Sequence, residues 1–112
     1  MRGYATMIKV LFICHGNICR STMAEYVMKA LVNKSGLSDT FFIDSAATSR
    51  EEIGNPVHYG TQNKLREEGI PCGNHRARQM TKKDYEEFDY LIGMEQWNIR
   101  NINRIIRKDP EH

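Results

Sequence analysis

Residues 8–21 read Ile8-Lys9-Val10-Leu11-Phe12-Ile13-Cys14-His15-Gly16-Asn17-Ile18-Cys19-Arg20-Ser21. The first six are β-branched, aromatic or aliphatic apart from Lys9, the composition of a strand buried in a parallel sheet. Cys14 to Ser21 breaks that pattern with glycine, asparagine and polar residues. Directly after it, Met23, Tyr26, Val27, Ala30 and Leu31 recur at three- and four-residue spacing, which predicts a helix over Thr22 to Ser35 with Gly36 as its C-terminal cap. A buried strand, a short turn and an amphipathic helix make the opening of a βαβ unit.

The rest of the chain continues the alternation. Phe41-Phe42-Ile43 reads as a second strand, and the polar stretch with Gly54 and Pro56 as a loop. Val57 to Glu68 reads as a helix closed by Gly69, and Ile70-Pro71-Cys72 as a short strand or an extended link. Thr81, with Asp84 three positions on, reads as an N-cap before a short helix. Asp89 to Met94 is a third buried strand. Trp97, Ile99, Ile102, Ile105 and Ile106 mark a last helix running to Arg107, their stripe read as core rather than partner groove. The pattern predicts an α/β fold, a doubly wound parallel sheet with helices on both faces.

Composition sets bounds on this reading. The chain has 112 residues, enough for one domain. Sixteen basic against 14 acidic side chains give a net charge of +2, too balanced to argue for nucleic acid. His75, Arg76, Arg78, Lys82 and Lys83 form a basic run, which reads as a solvated face. The longest apolar run, Val10 to Cys14, is too short to span a bilayer. Met1 to Met7 lacks the apolar segment of a secretory signal. Residues 1–6 read as a leader and 7–112 as a single domain. The three cysteines include no CxxC pair, and no metal cluster or dinucleotide fingerprint occurs, so neither a metal nor a cofactor is expected. A reduced, cytoplasmic protein follows.

The chemistry falls on Cys14 to Ser21, because doubly wound sheets bind ligands beyond the carboxyl ends of their strands. Gly16 and Asn17 are residue types that tolerate positive φ. A loop curled that way turns successive backbone N–H groups inward as an anion nest. The helix behind it adds free N–H groups and partial positive charge. Arg20 offers a planar fork for two phosphate oxygens. Such surroundings would lower the pKa of Cys14 and make it a thiolate nucleophile. The plain alternatives are Cys14 as a small buried hydrophobe and Arg20 as a surface charge. Likewise Asn17 reads as a turn residue, Ser45 as a strand-end cap and His75 as a surface histidine.

Cys14-His15-Gly16-Asn17-Ile18-Cys19-Arg20-Ser21 closely resembles the phosphate-binding loop of low-molecular-weight protein tyrosine phosphatases. Met23-Ala24-Glu25 also follows that family, although Thr22 stands where proline is usual. Asp44-Ser45-Ala46-Ala47-Thr48 is similar to its Asp-Ser-Ala-Gly-Thr segment, with one alanine for glycine. His75 to Gln79 and Phe88 to Met94 resemble family stretches too. The resemblance implies that Cys14 is the nucleophile and that Arg20 clamps the phosphoryl group. Backbone N–H groups of His15, Gly16, Asn17, Ile18, Cys19 and Arg20 would cradle its oxygens. Ser21 would hydrogen-bond the sulfur, while Asn17, Ser45 and His75 fix the loop. It also implies that Cys19 lies near enough to Cys14 for a reversible, protective disulfide.

By the same resemblance, the substrate is a protein phosphotyrosine or a small aryl phosphate, with inorganic phosphate as product and no nucleic acid or membrane partner. The family's general acid sits in an Asp-Pro-aromatic-Tyr loop. The single Asp-Pro here, Asp109-Pro110, is followed by Glu111-His112 and reads as a helix-ending turn. The general acid is therefore not identified, and the expectation is a domain incomplete at its C-terminus, with an uncovered sheet edge that would favour a dimer. Two other readings stay open. One is a thiol-coupled arsenate reductase of the same fold, for which Cys72 is a single extra cysteine. The other is a non-catalytic phosphate or phosphopeptide binder. Isoleucine at position 18 resembles the tyrosine-phosphate type, where phosphoarginine phosphatases carry threonine.

Overall fold

The structure is a computed structural model that describes residues 7–106. The leader assigned to residues 1–6, the helix end at Arg107 and the Asp109-Pro110 turn lie outside the described residues.

Strand β1 (Ile8–Cys14) is the centre of a three-stranded parallel sheet, with β2 (Phe41–Ala47) on one side and β3 (Tyr90–Gly93) on the other. Central position explains the unbroken apolar run of β1: both its faces and both its edges are covered. The helices are α1 (Arg20–Lys34), α2 (Tyr59–Glu67), α3 (Lys82–Glu87) and α4 (Gln96–Ile106). Leu11 and Ile13, both fully buried, join Ala46, Met80 and Ile102 on the α4 face of the sheet. Alternation along a strand sends neighbouring residues the other way. Cys14 and Ser45 therefore face α1, and the Ser45 hydroxyl bonds Glu25 of that helix at 2.5 Å. A second cluster, Tyr26, Val57 and Leu65, ties α1 to α2.

Helix ends follow the expected chemistry. Gly36 and Gly69 take φ of 73° and 70°, positions where a side chain is strained. In each case two backbone N–H groups fold back on the last turn. Leu37 bonds Val32 at 2.7 Å and Gly36 bonds Asn33 at 3.1 Å after α1; Ile70 bonds Leu65 at 2.9 Å and Gly69 bonds Arg66 at 3.0 Å after α2. Thr81 and Asp84 close a reciprocal capping box at the start of α3.

Four expectations need correction. β2 runs to Ala47 rather than stopping at Ile43, so Ser45 is a mid-strand residue paired in register with Phe12. α1 starts at Arg20, two residues earlier than its periodicity suggested, because the loop ahead of it turns directly into the first helical turn. Of the two readings open for Ile70-Pro71-Cys72, a short strand or an extended link, the structure takes the second. On α4 only part of the apolar stripe is core: Ile102 is buried, whereas Trp97 and Ile99 are about half exposed and Arg100 lies over the Trp97 ring at 5.7 Å. β3, expected to be a buried strand, lies at one edge of the described sheet, with Tyr90 and Ile92 exposed. No helix among the described residues is long and apolar enough to cross a membrane.

Candidate active site

Cys14 ends the central strand, and α1 begins six residues later. The intervening loop leaves the carboxyl edge of the sheet and lines a cavity of about 210 Å³ with Cys14, His15, Gly16, Asn17, Ile18, Cys19, Arg20, Glu95 and Asn98. A larger groove of about 800 Å³ lies elsewhere, between α1 and the Glu68–Gly73 segment. It holds neither Cys14 nor Arg20, so the smaller cavity is the chemically equipped one.

Asn17 is the pivot of the loop. It has φ of 61°, a left-handed backbone that asparagine tolerates better than most residues, and it is 99% removed from solvent. Its polar groups are committed inward. The backbone N–H donates to Cys14 Sγ at 3.2 Å. The side-chain Nδ2 donates to Ser21 Oγ at 2.8 Å. The side-chain oxygen accepts from His75 Nε2 at 2.8 Å and from the Arg78 backbone N–H at 3.1 Å. These bonds fix the amide's orientation, since an oxygen facing Ser21 would leave two donors facing a nitrogen. They also require a proton on His75 Nε2, which it donates to Asn17 Oδ1.

The sulfur's surroundings follow from this network. Ser21 Oγ lies 3.0 Å from Cys14 Sγ. Because that hydroxyl already accepts from Asn17, its own hydrogen is free to point at sulfur. Cys14 is thus buried and met by an N–H from Asn17 and an O–H from Ser21. The backbone N–H groups of His15, Gly16, Ile18 and Cys19 meet no protein acceptor among the described residues. Gly16 departs from the expectation of a left-handed turn residue, since its φ is not positive. Its lack of a side chain serves close approach instead: an added Cβ would sit 3.3 Å from Glu52 Cγ.

Behind the loop stands a buried polar cluster that the linear sequence does not assemble. Glu25, 1% exposed, takes the Ser45 hydroxyl and forms an ion pair with Lys29 at 2.6 Å. His75 Nδ1 lies 3.6 Å from Glu25 and 3.5 Å from Asp44. Arg78 bridges Asp84 at 2.9 Å and Asp44 at 3.2 Å. Burial lowers the Arg78 pKa, but the bonds and charges of Asp84 and Asp44 outweigh it and leave a net rise. Burial pushes the Tyr26 hydroxyl up, partly offset by the His75 N–H that donates to it. Ser45 and His75, predicted on the resemblance alone, are thus joined to Asn17. Glu25, Asp44 and Arg78 were given no role from sequence.

The open side of the loop is ionic and exposed. Arg20, first residue of α1, bonds Glu95 at 2.7 Å, and that carboxylate raises its pKa. His15 Nε2 lies 3.2 Å from Glu51. Cys19 is exposed and its sulfur accepts from the Thr61 hydroxyl at 3.2 Å; Cys14, Cys19 and Cys72 are all free. Ile18 receives the His58 backbone N–H at 2.8 Å, which seats the start of α2 on the loop. Glu95, Glu51 and Thr61 escaped the sequence reading. For Glu95 a signal existed, because it follows β3 at the carboxyl edge of the sheet, where binding residues gather.

Residues 9–112 match the family described as low molecular weight phosphotyrosine protein phosphatase. The mouse low molecular weight phosphotyrosine protein phosphatase is 52% identical over 95 residues, spanning 85% of this chain and 60% of the relative. The chain therefore spans less than two thirds of the length of that relative. The crystal structure of YfkJ from Bacillus subtilis superposes with a TM-score of 0.90 at 44% identity, covering 96% of this chain and 67% of that one. The Drosophila arginine phosphatase structure gives 0.84 at 33% identity, covering 91% and 64%. With its strand-loop-helix site, its three-stranded parallel sheet and these relatives, the chain belongs to the low molecular weight phosphotyrosine protein phosphatase family.

Proposed function

We propose that the protein hydrolyses phosphotyrosine in proteins, and small aryl phosphates, through a phosphocysteine on Cys14. The observation that carries this reading is the buried sulfur at the mouth of a loop whose His15, Gly16, Ile18 and Cys19 N–H groups meet no acceptor among the described residues, with Asn17 N–H and Ser21 Oγ directed at it. In the first step Cys14 attacks phosphorus as its thiolate. The S–P bond forms, the P–O bond to the phenol breaks, and the leaving oxygen takes a proton from a general acid. Loop N–H groups and Arg20 hold the three equatorial oxygens, where charge is stabilised in such transfers. In the second step water breaks the S–P bond and inorganic phosphate leaves. The general acid is not assigned among the described residues, and Asp109 lies outside them.

Ser45, His75, Glu25 and Asp44 act through Asn17. They hold its left-handed backbone, and so the loop, in one shape, the preorganisation that anion stabilisation requires. Cys19 is the proposed resolving partner for an oxidised Cys14, and a reducing compartment such as the cytoplasm would keep both as thiols. Ile18 supports phosphotyrosine over phosphoarginine. The reductase reading is weaker, because burial pushes the Cys72 thiol up and the thiol's partner among the described residues is the Gly73 carbonyl at 3.6 Å.

The test is a panel of phosphotyrosine, phosphoserine and phosphoarginine peptides, run beside arsenate with thiols. Phosphate release from phosphotyrosine alone is expected. Arsenate reduction without peptide hydrolysis would contradict the proposal.

A further inference from the structure

Arg20 lines the cavity that holds Cys14. Its guanidinium gives an N–H to Glu95 at 2.7 Å, and both side chains are at least half exposed at the cavity rim. A carboxylate presents two oxygens to the guanidinium fork much as a phosphoryl group does. Glu95 does not hang loosely there. The Oδ1 of Asn98, a side chain 1% exposed, accepts the backbone N–H groups of Met94 and Glu95 at 2.9 Å each. That bond pair fixes the β3–α4 turn and so the position of Glu95. The anchor is buried while the contact it positions is open, the build of a contact meant to be exchanged.

We propose that Glu95 is an internal counter-anion that occupies Arg20 whenever no phosphoryl group is bound. The proposal rests on reading Arg20 as the phosphate clamp. Every oxyanion then competes with Glu95, which weakens substrate and product alike. On product release Glu95 retakes Arg20. Glu95 is thus a positioning residue acting through Arg20, and it trades ground-state affinity for turnover.

The experiment measures inorganic phosphate affinity by calorimetry and by competitive inhibition, at fixed pH and ionic strength. The proteins are the wild type, Glu95→Gln, Glu95→Asp and Arg20→Ala. Glu95→Gln removes the charge; Glu95→Asp keeps it but is one methylene too short to reach. Both should bind phosphate more tightly, by about threefold, as befits an exposed ion pair. Arg20→Ala should bind it far more weakly, and Glu95→Gln in that background should give no gain. Tightening in Glu95→Gln but not Glu95→Asp would mean simple charge repulsion and would overturn the proposal. Weaker binding in both would make Glu95 a support for Arg20, and would overturn it equally. Wild-type protein that fails to bind phosphate, or binding indifferent to Arg20→Ala, would overturn the phosphate-clamp reading and the proposal with it. Far-ultraviolet dichroism and thermal melts should match for wild type and both Glu95 variants, since the Asn98 anchor uses backbone N–H groups that neither substitution removes.

Discussion

The two sides of the Cys14–Arg20 loop are built differently. The inner side is buried and nearly every polar atom is spoken for: Asn17 binds Cys14, Ser21, His75 and Arg78, and His75 reaches on to Ser45, Glu25 and Asp44. The outer side consists of exposed ion pairs, Arg20 with Glu95 and His15 with Glu51. Buried polar networks are costly to break because a removed partner leaves a desolvated group unpaired. Exposed ion pairs are cheap to break because water replaces the partner. The inner side can therefore hold a shape, and the outer side can exchange partners.

The largest expected effect falls where the two sides meet. Cys14→Ser should lower turnover on the order of 10⁴-fold or more while leaving phosphate binding largely intact. Retained turnover in that variant would remove the nucleophile from the account. Arg20→Ala should cost roughly 10²–10³-fold in kcat/KM, the scale for losing one preorganised anion donor. Arg20→Lys should recover little of it, because a point charge cannot reproduce the fork.

Asn17 tests the inner side directly. Asn17→Ala loses the side-chain bonds and strains a left-handed backbone, so stability should fall by about 2–4 kcal/mol. Asn17→Gly relieves the strain and loses only the bonds, so its melting temperature should lie above that of Asn17→Ala and below wild type. Equal melting temperatures would show that φ at position 17 stores no strain. On the outer side, Glu51→Gln should shift stability by less than about 0.5 kcal/mol. A large loss there would mean the mouth is structural, and the contrast between the two sides would collapse.

How much of this was legible in sequence depends on the range of the interaction. The β1–loop–α1 unit could be read because its signals are local: an apolar run, then Gly16 and Asn17, then a helical stripe. Ser45 was misplaced as a strand end because Asp44-Ser45-Ala46-Ala47 has little β-propensity, and pairing with β1 overrides it. Trp97 and Ile99 were drawn into the core because periodicity marks a face without saying how much of it is covered. The Arg20–Glu95 contact joins residues 75 apart and the His75–Asn17 contact residues 58 apart. No local pattern encodes such pairs; the parallel sheet brings them together by ending its strands on one edge. Gly16 shows a subtler miss, since the glycine was expected for its φ and is used for the room it leaves Glu52.

The most direct test of the central claim is rapid mixing with an aryl phosphate whose leaving group is a weak base, followed by acid quenching. Such a phenol departs with little help from a general acid, so the measurement isolates attack by sulfur. The account predicts a burst of one equivalent of phenol and one phosphoryl group carried on Cys14, seen by mass spectrometry and absent in Cys14→Ser. Reversible phosphate binding with neither burst nor adduct would contradict it and leave the loop as an anion receptor.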